Sequence, residues 1–325
     1  MTSTASSKTG DAAGNEAGNE AGNALGFDLP IFDAHHHFWD LDDGHFPWLT
    51  DDYDPHFFLG DYRRMCRNFL PPQYRAATAG FDVIGTVHVE AERSRREQVQ
   101  ETAFLTRLNA ATGLPSALVG HVYFVQPDCE AVLAGHAKSP LARGVRSKPE
   151  ISSGPGDSVR GQPGTMQDDA WLRGLALLER FGFSWDLRVP YWHLEEAAEV
   201  ARAFPNTPIV TNHLGLPLDR SDAGVAIWRR GMRALADCPN VFLKVSELGL
   251  PNGTWDSASN RRVIREAVDL FGYERSMFAS NLPVGNLSAS FTEIVADVIG
   301  ALPHATESEL RALFAGTAQR FYRVD

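Results

Sequence analysis

The residues of this chain best suited to chemistry stand in one short stretch, Asp33-Ala34-His35-His36-His37-Phe38-Trp39-Asp40. It follows an apolar run, Leu29-Pro30-Ile31-Phe32. Side chains alternate along a strand, so Ile31, Asp33, His35 and His37 are expected on one face and His36 on the other. Two imidazoles on one strand face reach a single borderline-soft ion such as zinc, which accepts histidine nitrogen. Without a metal, the same pair serves as neighbouring hydrogen-bond donors.

The rest of the chain supplies the elements that must position this pair. Apolar or β-branched runs recur at 29–37, 81–90, 117–126, 141–148, 183–189, 207–213, 240–246 and 276–281. Amphipathic stretches with helical spacing separate most of them. In the stretch at 194–204, Leu194, Ala197, Ala198, Ala201 and Phe204 share a face, and Glu195 and Glu196 sit in the first turn, where the helix dipole favours them. Gly113 and Gly182 are expected to end helices. Eight strands alternating with helices predict an α/β fold, a (β/α)8 TIM barrel. A doubly wound open sheet ranks second, because no glycine-rich phosphate fingerprint follows any run.

In such a barrel, positions facing the helices are apolar, and inward positions near the strand ends build the site. Strand two then turns Val87 and Val89 to the helices and His88 and Glu90 inward. Strand four turns in Arg146 and Lys148, strand five Asp186 and Arg188, and strand seven Lys244, with Glu247 opening the next loop. His213 ends strand six and Asn281 ends strand eight. Inward ionisable groups need partners, and an ion pair of Asp186 with Arg188 or Lys244 is expected, as is one of Glu90 with Arg146 or Lys148. Four inward cations against two acids leave a positive excess, which predicts a small anionic substrate. The loop after strand one carries Trp39, Trp48, Tyr53 and Phe57, which either roof the site or pack over the barrel. The Gly/Pro/Ser-rich loop at 149–165 is long enough to suggest a function or mobility, and the loops at 38–80 and 149–170 are expected to shape the pocket.

Composition limits the alternatives. The chain has 325 residues, 43% of them hydrophobic, and a formal net charge of −11. That charge argues against nucleic acid or an anionic membrane surface as partner. Cys66, Cys129 and Cys238 are odd in number and widely spaced, which fits idle thiols in a reducing compartment. There is no run long and apolar enough to span a membrane, and no charged-then-apolar leader, so a cytoplasmic location is expected. Residues 1–26 are mostly Ser, Thr, Gly, Ala, Asn and Glu with a repeated Gly-Asn-Glu-Ala, and are expected to form a disordered tail. Residues 27–325 then form a single hydrolase domain, with a homo-oligomer left open.

Three stretches carry a family resemblance. Phe32 to Asp40, Ile209-Val210-Thr211-Asn212-His213-Leu214-Gly215-Leu216-Pro217 and Met277-Phe278-Ala279-Ser280-Asn281-Leu282-Pro283-Val284, with Gln319-Arg320-Phe321-Tyr322 near the end, resemble the amidohydrolase-2 family of TIM-barrel hydrolases and decarboxylases. The nearest branch holds the sugar lactonases and 2-pyrone-4,6-dicarboxylate lactonase. The resemblance implies that His35, His37 and His213 bind one divalent, zinc-like ion. In the dicarboxylate lactonase branch the same residues would work without one. It implies that Arg146 binds substrate, with Lys148, Arg188 and Glu90 beside it. Asn281 stands where many members carry the aspartate that activates water, and an amide accepts no proton as a base. Glu247, at a position where related sequences favour glycine, is the best substitute. The leading expectation is therefore a hydrolase that opens a carboxylate-bearing lactone, with His35, His37, His213, Glu247 and Asn281 as its catalytic set. A metal-dependent decarboxylase of an aromatic or enoic acid and a non-catalytic carboxylate-binding barrel are the alternatives.

Overall fold

The computed structural model describes residue 22 and residues 25–325. Eight strands form one parallel sheet in sequence order: β1 (Ile31–His36), β2 (Val83–Val89), β3 (Ala117–His121), β4 (Ala142–Arg146), β5 (Ser184–Leu187), β6 (Ile209–Thr211), β7 (Val241–Val245) and β8 (Ser276–Phe278). The ring is closed by two backbone bonds just past β8: Asn281 N–H donates to His35 O and His37 N–H to Leu282 O, both at 2.7 Å. The fold is a (β/α)8 TIM barrel, as the alternation predicts.

The helices form where local chemistry favours them. Asp168, Ser221 and Asp256 cap helices Asp169–Phe181, Asp222–Ala236 and Ser257–Phe271 by accepting an N–H of the first turn. Gly113 and Gly182 take left-handed φ values of 81° and 65° at the ends of Gln98–Thr112 and Asp169–Phe181, which a β-carbon would oppose. Three helices escaped the sequence reading: Pro47–Thr50 and Pro71–Ala77 between β1 and β2, and Cys129–His136 between β3 and β4. The terminal helical stretch is interrupted by a π-helical turn over Ala312–Gly316.

Two apolar layers enclose the strands. Trp185, Leu187, Ile209, Leu243 and Val245 pack outward with helix residues such as Trp171, Leu194 and Trp228. Phe32, Ala34, Val87, Val89, Ala117, Val119, Val210, Met277 and Ala279 pack together inside. Val87 and Val89 therefore face inward, contrary to expectation. His88 faces the helix layer, where its Nε2 lies 3.2 Å from Glu101 of Gln98–Thr112. The parity inferred for β2 was inverted because its two faces are about equally buried. Alternation also fails in β1, whose pairing with β2 shifts between Asp33 and His36. Asp33 instead fastens β1 to β8, accepting from Ser280 N (2.8 Å), Ser280 Oγ (2.5 Å) and Tyr74 Oη (2.8 Å).

The tail expected over 1–26 falls outside the described residues except for Gly22, Leu25 and Gly26. Gly22 N–H donates to Gly80 O at 2.9 Å, so contact with the barrel begins before residue 27. No helix among the described residues is long and apolar enough to cross a membrane.

Candidate active site

A cavity of about 240 Å³ opens at the C-terminal ends of the strands. His37 just after β1, Arg146 at the end of β4 and Lys148 after it, Arg188 after β5, His213 after β6, Glu247 after β7 and Asn281 after β8 all line it. His213, Glu247 and Asn281 have left-handed φ values of 57°, 46° and 55°. Each such non-glycine residue carries about 1–3 kcal/mol of backbone strain, of the kind that gathers at functional sites. The turns aim three side chains into the mouth that regular strands would have sent elsewhere. At Glu247 this is also the backbone conformation that suits glycine.

The three imidazoles cluster, with the His35 ring 5.0 Å from that of His37 and 4.7 Å from that of His213. His35 is fully buried and lies beneath the cavity rather than on its wall. Burial and then the Lys244 charge hold its pKa well below the usual histidine value. Burial, followed by Arg188 and Arg146, does the same for His213. His37 falls to about 3 through burial and Arg146, against the pull of its bond to Val89. All three are neutral near pH 7.

Their neighbours then set the tautomers. His37 Nδ1 donates to Val89 O at 2.7 Å, which leaves the lone pair on Nε2, 3.1 Å from Asn281 Oδ1. The Lys244 ammonium, 3.5 Å from His35 Nδ1, keeps the His35 proton on Nε2, an atom with no protein partner.

This donor set does not fit the expected metal ion. Among the described residues, no group of three or more His, Cys, Asp or Glu side chains is placed to hold one. A ligating imidazole must offer a lone pair, and His35 offers N–H. The amide of Asn281 is a weaker ligand than a carboxylate, and Arg146, Arg188 and Lys244 surround the cluster with positive charge.

Charged groups divide into paired and unpaired. Lys244 is buried with Asp186 at 2.5 Å, and Tyr322 Oη donates to the same carboxylate. Arg146 is clasped by Glu90, Nε to Oε1 at 2.5 Å and Nη2 to the backbone oxygen at 2.7 Å. Burial alone would raise the Glu90 carboxyl, but Arg146 and then Lys148 bring it down to about 2. Glu90 is fully buried behind Arg146, which it holds in place, and it is absent from the cavity lining where a substrate contact was expected. Lys148 reaches the cavity but is ion-paired with Glu92. Arg188 makes no hydrogen bond or ion pair to any described residue. Burial and Arg146 lower its pKa to about 10, against Glu90 and Glu247, which still leaves it a cation at neutral pH.

Glu247 is the reverse case. Burial raises its carboxyl to about 7, against the Asn281 hydrogen bond and the Arg188 charge. Oε2 accepts from Asn281 Nδ2, while Oε1 is buried without a protein partner. A cavity-facing carboxyl that titrates near neutrality suits a general base.

The remaining wall comes from the loop after β1. Trp48 and Phe57 line the cavity as a roof would, together with Phe58, Tyr62 and Asp54, which sequence reasoning did not single out. Trp39 is buried away from the cavity and Tyr53 faces solvent. The loop at 149–165 contributes no lining residue. It is tied down elsewhere, by Ser152 N–H to His193 Nε2 at 2.9 Å and Glu150 N–H to Gly164 O at 2.9 Å.

Comparison with known proteins bears on this arrangement. A family model described as amidohydrolase matches residues 32–324. The chain is 34% identical to the uncharacterized protein y4mH of Sinorhizobium fredii, over 91% of this chain and 99% of that protein. It is 29% identical to an L-fucono-1,5-lactonase of Burkholderia multivorans, over 90% of this chain and 95% of the relative. A crystal structure of an amidohydrolase from Burkholderia multivorans with bound zinc superposes with a TM-score of 0.74 at 27% identity, covering 91% of this chain and 99% of that one.

Proposed function

Because the chain belongs to the amidohydrolase family and is an enzyme of hydrolase type, we propose that it opens a carboxylate-bearing lactone by attack of water on the ester carbonyl. The observation that carries this reading is the pairing, in one cavity, of an unpartnered guanidinium, Arg188, with a carboxyl poised near neutrality, Glu247. Arg188 holds the substrate carboxylate, since a half-buried guanidinium facing the cavity is best matched by a planar anion. Arg146, clamped by Glu90, turns its remaining N–H groups to the carbonyl oxygen, and His213 stands beside it.

Glu247 Oε1 takes a proton from water as the water oxygen bonds to the carbonyl carbon. When the ring C–O bond breaks, the proton passes to the leaving alkoxide. The product is a hydroxy acid whose new carboxyl group releases its remaining proton to solvent, giving one new carboxylate. While Glu247 holds the proton on Oε1, Asn281 Nδ2 keeps its hydrogen bond to Oε2 and fixes the carboxyl in place. Asn281 thereby substitutes for an acidic residue as a partner of the base rather than as the base.

No step runs through a metal ion. The lactone reading is supported by the L-fucono-1,5-lactonase relatives, and Glu247 answers the objection that Asn281 makes the barrel inert. The test is a panel of lactones with and without a side-chain carboxylate, followed by pH-stat, with metal content measured on the same sample. Opening of carboxylated lactones in preference to uncharged ones is expected. Failure to open any lactone, or release of carbon dioxide from aromatic or enoic acids, would count against it.

A further inference from the structure

The aromatic wall of the cavity has spent its polar atoms internally. Trp48 Nε1 donates to Ala91 O at 2.9 Å. Tyr62 Oη donates to Trp48 O at 2.9 Å and accepts from Asp54 N at 2.8 Å. The rings are braced against one another, Trp48 to Tyr62 at 5.5 Å and Phe57 to Tyr62 at 4.9 Å between centroids. What this wall presents to a ligand is mostly ring surface, with Val284 and Ala91 adding more apolar area; its one charged side chain, Asp54, accepts from His56 N–H at 2.8 Å through Oδ1 and repels a carboxylate. Hydroxyl groups set against it would lose water without gaining partners. The cations and the poised carboxyl enter from the strand ends, so the cavity is amphipathic. Its volume of about 240 Å³ admits one ring system with a short arm.

Resting on the reading of this site as a lactone hydrolase, we propose that its substrate carries an apolar planar arm, aryl or conjugated, that seats against Trp48, Phe57, Phe58 and Tyr62. The carboxylate lies on Arg188, and polyhydroxylated sugar lactones are discriminated against. The arm and the carboxylate are read by different walls, so each has its own variant.

Binding of unreactive acids to the full-length protein separates this assignment from the catalytic reading. Calorimetry at pH 8 is expected to show 3-phenylpropionate binding at least tenfold more tightly than gluconate. Trp48→Ala is expected to weaken phenylpropionate at least fivefold while changing propionate less than twofold. Phe57→Ala, at a half-buried position, gives the same direction if the Trp48 variant does not fold. Gluconate binding as tightly as phenylpropionate, no binding of either acid, or phenylpropionate affinity unmoved in both variants would overturn the assignment. A preserved preference in a protein that opens no lactone would remove the hydrolytic reading and leave the ligand class standing.

Discussion

Asn281→Ala isolates the proposed partner of the base. In the native protein Asn281 Nδ2 donates to Glu247 Oε2 and favours the ionised carboxylate, although burial still raises the group to about 7. A hydrogen bond to a charged group contributes about 1.5–3 kcal/mol. One pH unit corresponds to about 1.4 kcal/mol, so losing the donor moves the Glu247 titration up to roughly pH 8–9. At pH 7 the ionised fraction then drops from about one half to between about one tenth and one hundredth. The expected result is a fall in kcat/KM of about 5- to 50-fold at pH 7, recovered by about pH 10. The assay is kcat/KM for a carboxylated lactone from pH 5 to 10, with wild type and variant side by side. An equal loss at every pH, with the rising limb left near pH 7, would refute the reasoning and assign Asn281 to substrate binding alone.

Other perturbations test neighbouring parts of the account. Arg188→Met is expected to raise KM for carboxylated lactones about 10- to 150-fold, with little effect on an uncharged lactone. The same change should raise Tm, because the cation removed has no protein partner; a lower Tm with unchanged KM would contradict both points. Lys244→Met leaves the buried Asp186 carboxylate without its ion-pair partner and is expected to destabilise by about 3–5 kcal/mol in urea unfolding. Near-native stability would show that the pair is not coupled. Glu101 is raised by burial and then Glu90 from 4.5 to about 8, so the folded protein binds its proton more tightly than the unfolded chain. Its contribution is fully present below pH 4.5 and is lost as pH climbs through about 8, a difference of about 5 kcal/mol. Glu101→Gln should flatten the decline in stability between pH 5 and 9, and unchanged slopes would exclude Glu101 as its source.

The barrel was legible because each strand run and most helical stretches carry their own period and end signals. Glycine at 113 and 182 marked helix ends, and Glu195 and Glu196 marked a first turn, that the backbone then respected. Inward positions on β5 and β7 could be read because Trp185, Leu187, Leu243 and Val245 separate cleanly from Asp186 and Lys244. The interior of β2 could not be read, since Val87 and Val89 pack inside while His88 finds a buried acid outside. Pairwise alternation also says nothing of the left-handed turns at His213, Glu247 and Asn281, which decide where those side chains go. Charge counting found the cationic mouth but not its division. Only the folded structure separates Arg188 from Arg146 and Lys148, whose partners Glu90 and Glu92 lie more than fifty residues away in sequence. The same holds for the aromatic wall, because neither the loop length nor its composition tells Trp48 and Phe57, on the cavity, from Trp39 and Tyr53, off it.

The central claim is that Glu247 takes the proton from water. Glu247→Gln keeps the shape of the side chain and its contact with Asn281 while removing the base. The direct measurement is the pH dependence of kcat/KM for this variant on a carboxylated lactone. The account predicts a loss of about 10²–10⁴-fold and a flat profile in place of the limb near pH 7. A variant that retains wild-type activity, or still shows that limb, would contradict it.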